Sequence, residues 1–188
     1  MIARSLICLL VISWAFVGSA STNINFFTKG NVVNGSETAK QELDALLSSM
    51  MPFAQMMLDK AGTFYPYGGI INTSGKPEAH GAYNGEEHPK PQELIDILMA
   101  GFRQGTKEKK FRAVGMCVDV RTIPPNSTEK TDAIAAMMEH ESGIAVTVFL
   151  PYKREASGKY VYGQMFARNN EPKIFTSAKS DSSDGEKK

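Results

Sequence analysis

The stretch from Phe111 to Tyr152, FRAVGMCVDVRTIPPNSTEKTDAIAAMMEHESGIAVTVFLPY, constrains the fold more than any other part of the chain. It contains three β-type runs in succession, Phe111–Thr122, Asp132–Glu141 and Ile144–Tyr152. Pro124-Pro125-Asn126-Ser127 and Glu141-Ser142-Gly143 separate them. Runs bounded by Pro, Asn, Ser and Gly read as adjacent antiparallel strands. Their alternation then assigns faces. In the first run Val114, Met116, Val118 and Val120 share one wholly apolar face, while Phe111, Ala113, Gly115, Cys117, Asp119 and Arg121 share a mixed one. In the third, Ile144, Val146, Val148 and Leu150 oppose Ala145, Thr147 and Phe149.

The flanking elements follow from helical period and punctuation. Leu43, Leu46, Leu47, Met50, Ala54, Met57, Leu58 and Ala61 keep one helical phase across Pro52. That phase predicts a single helix kinked at Pro52. It starts near Ser36–Thr38, where Thr38 and Gln41 have capping-box spacing, and stops at Gly62. Phe64–Ile71 and Pro77–Tyr83, joined through Asn72-Thr73-Ser74-Gly75-Lys76, read as two short strands and a turn. Pro91 suits the first residue of a second helix with Leu94, Ile95, Leu98 and Phe102 as its buried stripe and Gly105 as its end. A last strand, Tyr160–Ala167, follows the polar turn Glu155–Lys159.

The expected fold is therefore α+β and two-layered, in the order α-β-β-α-β-β-β-β. An antiparallel sheet of five or six strands carries both helices on one face. With no third helix, the second face is expected to meet water, the N-terminal arm or a partner.

Outside this domain, residues 36–176, the ends differ in kind. Residues 1–20, with Arg4, an apolar run of roughly a dozen residues and then Gly18-Ser19-Ala20, form the three-part pattern of a secretory signal peptide. A membrane span needs about 20 apolar residues, so no span is expected after cleavage. Residues 21–35 read as a flexible arm, with Asn25-Phe26-Phe27 touching the body. Residues 177–188 read as a disordered polar tail. The expected location is secreted or periplasmic. Without Arg4 the chain has 20 basic and 20 acidic residues, which argues against nucleic acid as a partner. Cys117 becomes the only cysteine beyond the leader, so no intrachain disulfide is expected.

The element order resembles the roadblock, longin and profilin-like folds over about Ser36 to Ala167. Phe64-Tyr65-Pro66-Tyr67-Gly68 and Leu150-Pro151-Tyr152 resemble stretches of small stand-alone bacterial proteins of unassigned function, a likeness that implies no activity.

Candidate functional residues are few. His80 and His88 flank a turn beside Glu86 and Glu87, but at no recognised metal-ligand spacing, and neither a metal nor a cofactor is expected. No serine or cysteine sits in a nucleophile elbow and no glycine run forms a phosphate loop. His140 and Asp119 are the acid–base candidates. Asp119, Arg121, Phe149, Tyr65 and Tyr67 are the binding candidates. Asn34, Asn72 and Asn126 head glycosylation-type triplets, relevant only in a eukaryotic source. The reading favoured by these residues is a non-enzymatic module that binds a protein partner or a second copy of itself. The alternatives are a small hydrolase using Asp119 and the His140 region, and a carrier of a small apolar ligand held between the kinked helix and the sheet.

Overall fold

The structure, a computed structural model, describes residues 24–29, 35–125 and 127–176. The signal-peptide reading of residues 1–20 and the tail 177–188 lie outside the described residues, as do Asn34 and Asn126.

The first helix, α1, runs unbroken through Pro52 from Glu37 to Ala61. Its N-cap is Ser36, whose hydroxyl oxygen accepts from the Ala39 N–H, so the Thr38–Gln41 spacing is not the cap. Gly62 ends it at φ 73°, a left-handed conformation that glycine adopts without strain. The hairpin β1 (Tyr67–Asn72) and β2 (Pro77–His80) comes next, then α2 (Pro91–Lys107), whose first residue is the proline. β3 (Phe111–Thr122), β4 (Thr131–His140) and β5 (Ala145–Arg154) form the expected central meander. The last expected strand is two, β6 (Tyr160–Tyr162) and β7 (Phe166–Asn169).

All pairings in the sheet are antiparallel, in the order β2-β1-β3-β4-β5, with β6 and β7 both against β5. Six positions hold seven strands because the outermost is broken. Tyr152 pairs with Tyr162 and Phe149 with Phe166, so the outer strand spends one residue more than β5 between these pairs. The extra residue is a bulge opposite Pro151, which has no N–H to give the ladder. Gly163 N–H donates to the Pro151 carbonyl at the break.

The layering corrects one expectation. The helices lie on opposite faces, and the molecule has three layers. Leu43, Leu46, Leu47, Met50, Met51, Ala54 and Leu58 of α1 pack with Ile71, Ala113, Cys117, Ile134, Ala136, Met138, Val146, Val148 and Leu150. Leu98 and Phe102 of α2 pack with Ile70, Val114, Met116, Val118 and Ala135 on the other side. The mixed face of β3 is therefore the principal core face, and Cys117 on it is fully buried. Its small residues are what admit α1. A Cβ on Gly115 would stand 2.5 Å from Met50 Cε and 3.1 Å from Leu46 Cδ2. The helix seats in a groove made by absent side chains. From Ala113 to Val118 the two faces of β3 are equally buried, and the mixed face is the more exposed only beyond that, at Asp119 and Arg121.

Three tyrosines fasten α1 to the sheet and its edge. Tyr67 Oη donates to the Met50 carbonyl (2.7 Å), Tyr162 Oη to Gln55 (3.3 Å) and Tyr160 Oη to Gly62 (3.3 Å). Within the segment read as an arm, residues 24–29 dock on the body, as expected of Asn25-Phe26-Phe27. Phe27 is fully buried, and the Asp44 carboxylate accepts from the N–H groups of Phe27 (2.9 Å) and Thr28 (3.2 Å). At the other end, Glu139 accepts from the N–H groups of Lys173 (2.9 Å), Ile174 (2.8 Å) and Phe175 (3.2 Å), fixing this segment over the α2 side of the sheet.

Candidate functional site

Polar chemistry gathers at the two ends of the central meander, and an apolar patch lies between them on the α2 side. At one end, β4 finishes with His140 and turns through Glu141–Gly143, where Gly143 takes φ 89°. His140 Nε2 lies 2.9 Å from Glu42 Oε2 of α1, and its Nδ1 lies 2.9 Å from Ser142 Oγ. The Ser142 N–H also donates to Nδ1, at 3.0 Å. A nitrogen that accepts from an N–H carries no proton of its own, so this imidazole is the Nε2–H tautomer and donates to Glu42. Glu42 Oε1 in turn pairs with Arg112 Nη2 of β3 at 3.0 Å. Arg112 Nε lies 3.3 Å from Glu141 Oε1, within ion-pair range but off the hydrogen-bond line, so its buried N–H has no acceptor. Glu42 and His140 are buried, and Ser142 is exposed.

At the other end, Tyr152 Oη donates to Asp119 Oδ1 (2.8 Å), and Arg121 Nε pairs with Asp132 Oδ1 (3.4 Å). Burial pushes the Asp119 carboxyl above its ordinary value; the Tyr152 hydrogen bond opposes this and the Asp132 charge adds to it. The Tyr152 phenol is pushed up as well, by burial first and then by Asp119. An open surface groove lined by Pro124, Lys130, Pro151, Tyr152 and Tyr162 runs beside this cluster.

His140 and Asp119 do not share a site. His140 pairs with Ala113 and Asp119 pairs with Ile134, six β3 residues apart, which is about 20 Å along a strand. Asp119 and Arg121 project on the α1 side of the sheet, beyond the buried part of β3. Phe149 is on the other side, because it pairs with Ala135, the partner of Val118. Tyr67 is packed under α1, with burial raising its phenol far above the ordinary value. Tyr65 is exposed and stands apart from both clusters. The five binding candidates are thus brought together only as the pair Asp119 and Arg121. Asn72, the one described glycosylation candidate, spends its side chain on the β1–β2 turn: its Oδ1 accepts from Ser74 (2.9 Å) and Lys76 (3.0 Å) N–H.

Between the polar ends, α2 covers β1 and β3 but stops short of β5. There Phe149 and Phe166 stack, centroids 5.0 Å apart and planes 16° from parallel. The Arg168 guanidinium lies over both, at 5.1 and 5.3 Å, and donates to the Ile123 carbonyl. Val120, Met137 and both phenylalanines are only half-buried, and Ile123 is 40% exposed. Sequence reasoning missed Phe166 and Arg168 because the outer strand was taken as unbroken, which gave no register for them. It missed Glu42 because a glutamate on a helix face carries no signal of a partner 98 residues away.

Among the described residues, no three His, Cys, Asp or Glu side chains are placed to hold a metal ion. None of the described helices is long and apolar enough to cross a membrane. No protein-family model, curated protein or solved structure matches the chain.

Proposed function

We propose that the chain is a secreted or periplasmic protein-binding module that recognises its partner, in the first instance a second copy of itself, through the β4–β5–β7 part of the α2-side sheet face. The observation that carries this reading is the half-covered stack of Phe149 and Phe166 with Arg168 over it. Aromatic residues, Met and Arg are the types enriched where proteins meet, and Val120 and Met137 continue the patch inward. The balance of 20 acidic and 20 basic residues beyond the leader leaves little net repulsion between copies. The reading replaces the surface expected around Asp119 and Arg121, since α1 occupies most of that face. The carrier alternative has less to support it, because side chains fill the space between α1 and the sheet.

Two experiments test it. The intact mass of the exported protein should begin at or near Ser21, and retention of residues 1–20 would contradict the location. Light scattering behind size exclusion, run over a concentration series, should show reversible dimerisation that Phe166→Glu abolishes without changing the melting temperature by more than a few degrees. A monomer throughout the series would contradict self-recognition.

A further inference from the structure

We propose that Ser142, His140 and Glu42 form a serine acyl-transfer site acting on small esters, an activity that goes beyond the binding reading and does not depend on it. The geometry is a relay: an exposed hydroxyl 2.9 Å from an imidazole nitrogen, and the other nitrogen 2.9 Å from a buried carboxylate. This is the arrangement that activates a serine, a nucleophile bonded to a base whose tautomer and orientation are fixed by an acid. Here the ring is used in reverse, with Nδ1 facing the serine and Nε2–H facing Glu42. The tautomer is set by the Ser142 N–H, which requires Nδ1 to be an acceptor. Glu42 is kept in place by Arg112 at 3.0 Å. It stabilises the imidazolium that forms when Nδ1 takes a proton.

The steps balance with water as the only co-reactant. Ser142 Oγ attacks the ester carbonyl carbon while its proton passes to Nδ1. The tetrahedral oxyanion collapses, the C–O bond to the alcohol breaks, and Nδ1–H protonates the departing alkoxide. Water, deprotonated by Nδ1, then attacks the acyl-serine, releasing the carboxylic acid and restoring the hydroxyl. The same backbone group serves the oxyanion. Once Nδ1 is protonated it no longer accepts from the Ser142 N–H, which is released beside the nucleophile as the negative charge develops. The serine stands on an exposed hairpin turn, outside the groove beside Tyr152 and the one beside Phe175, so the substrate class is short-chain or activated esters rather than long acyl chains.

The test uses the folded chain from Ser21 with a fluorophosphonate probe and with p-nitrophenyl acetate. The tryptic peptide Thr131–Lys153 contains Ser142 as its single serine, so the site of addition is unambiguous. One probe per chain is expected on that peptide. Ser142→Ala should remove both labelling and acetate hydrolysis while leaving the melting temperature unchanged, since the side chain it alters is exposed. Glu42→Gln should slow labelling at least tenfold. If Glu42→Gln fails to fold, the Ser142→Ala comparison still decides. Absence of addition at Ser142 in the folded chain, or addition at the same rate in guanidinium, would overturn the proposal.

Discussion

Cys117 shows how far a residue's surroundings can override its chemistry. It is fully buried beneath α1, and that burial pushes its thiol up to about 12, with the Tyr67 hydroxyl as a smaller opposing influence. A thiol must ionise to react, so Cys117 should be inert in the native state. Titration with a disulfide reagent at pH 8 should find no accessible thiol in the folded chain from Ser21 and one in guanidinium. Fast native reaction would mean that the α1 side of β3 is open. Asp119 makes a second residue-level case, one with a consequence for stability. Its carboxyl is raised in the fold, so the folded state holds the proton more tightly than the unfolded chain does. The resulting penalty is absent below the ordinary carboxylate value of about 4 and appears as pH rises through the raised value. Asp119→Asn keeps an acceptor for Tyr152 and removes the charge. It should stabilise the protein at pH 7 by less than about 1 kcal/mol, given the group's partial exposure, and give no gain at pH 3. A melting series over that range checks the sign.

Among the elements, α1 was the most legible and its placement the least. Its phase across Pro52, its stop at Gly62 and the proline start of α2 could all be read from residue order, because local geometry alone dictates them. Which face of the sheet α1 would cover could not, because Ala113, Gly115 and Cys117 look the same whether small residues mark an open face or a close helix contact. Gly69 settles the point beside Gly115: a Cβ there would stand 3.0 Å from both Leu46 and Met50. Gly115→Ala should cost about 1 kcal/mol, since the Met50 methyl that it meets can swing aside. Gly115→Val should cost about 3 kcal/mol or more, because no movement of one flexible side chain clears a branched residue. Chemical denaturation of the two variants would show this order, and equal costs would contradict the close seating of α1. The broken outer strand was illegible for a different reason. Pro151 announces a lost ladder bond in β5, yet only the pairing tells which residue of the partner strand is left over.

For the whole molecule, coverage of the sheet from two sides has a direct consequence. If both faces of β3 are buried from Ala113 to Val118, a carboxylate on either should be ruinous. Val118→Asp and Cys117→Asp should both prevent folding, each placing a carboxylate inside a buried apolar cluster. A soluble, cooperatively melting Cys117→Asp would restore the two-layer arrangement that residue alternation suggested. The polar constellation was out of reach of sequence for the same architectural reason. His140 and Ser142 are neighbours in a turn, but Glu42 reaches them only because α1 crosses the α1-side face at the end of β4.

The sheet area beyond α2 is proposed as a recognition surface for a second copy. Sedimentation velocity of the chain from Ser21, wild type and Phe166→Glu, over a hundredfold concentration range measures that association. The weight-average sedimentation coefficient should climb with concentration for the wild type and stay at the monomer value for the variant. A wild-type coefficient that stays at the monomer value across the range would contradict it, as would association unaffected by Phe166→Glu.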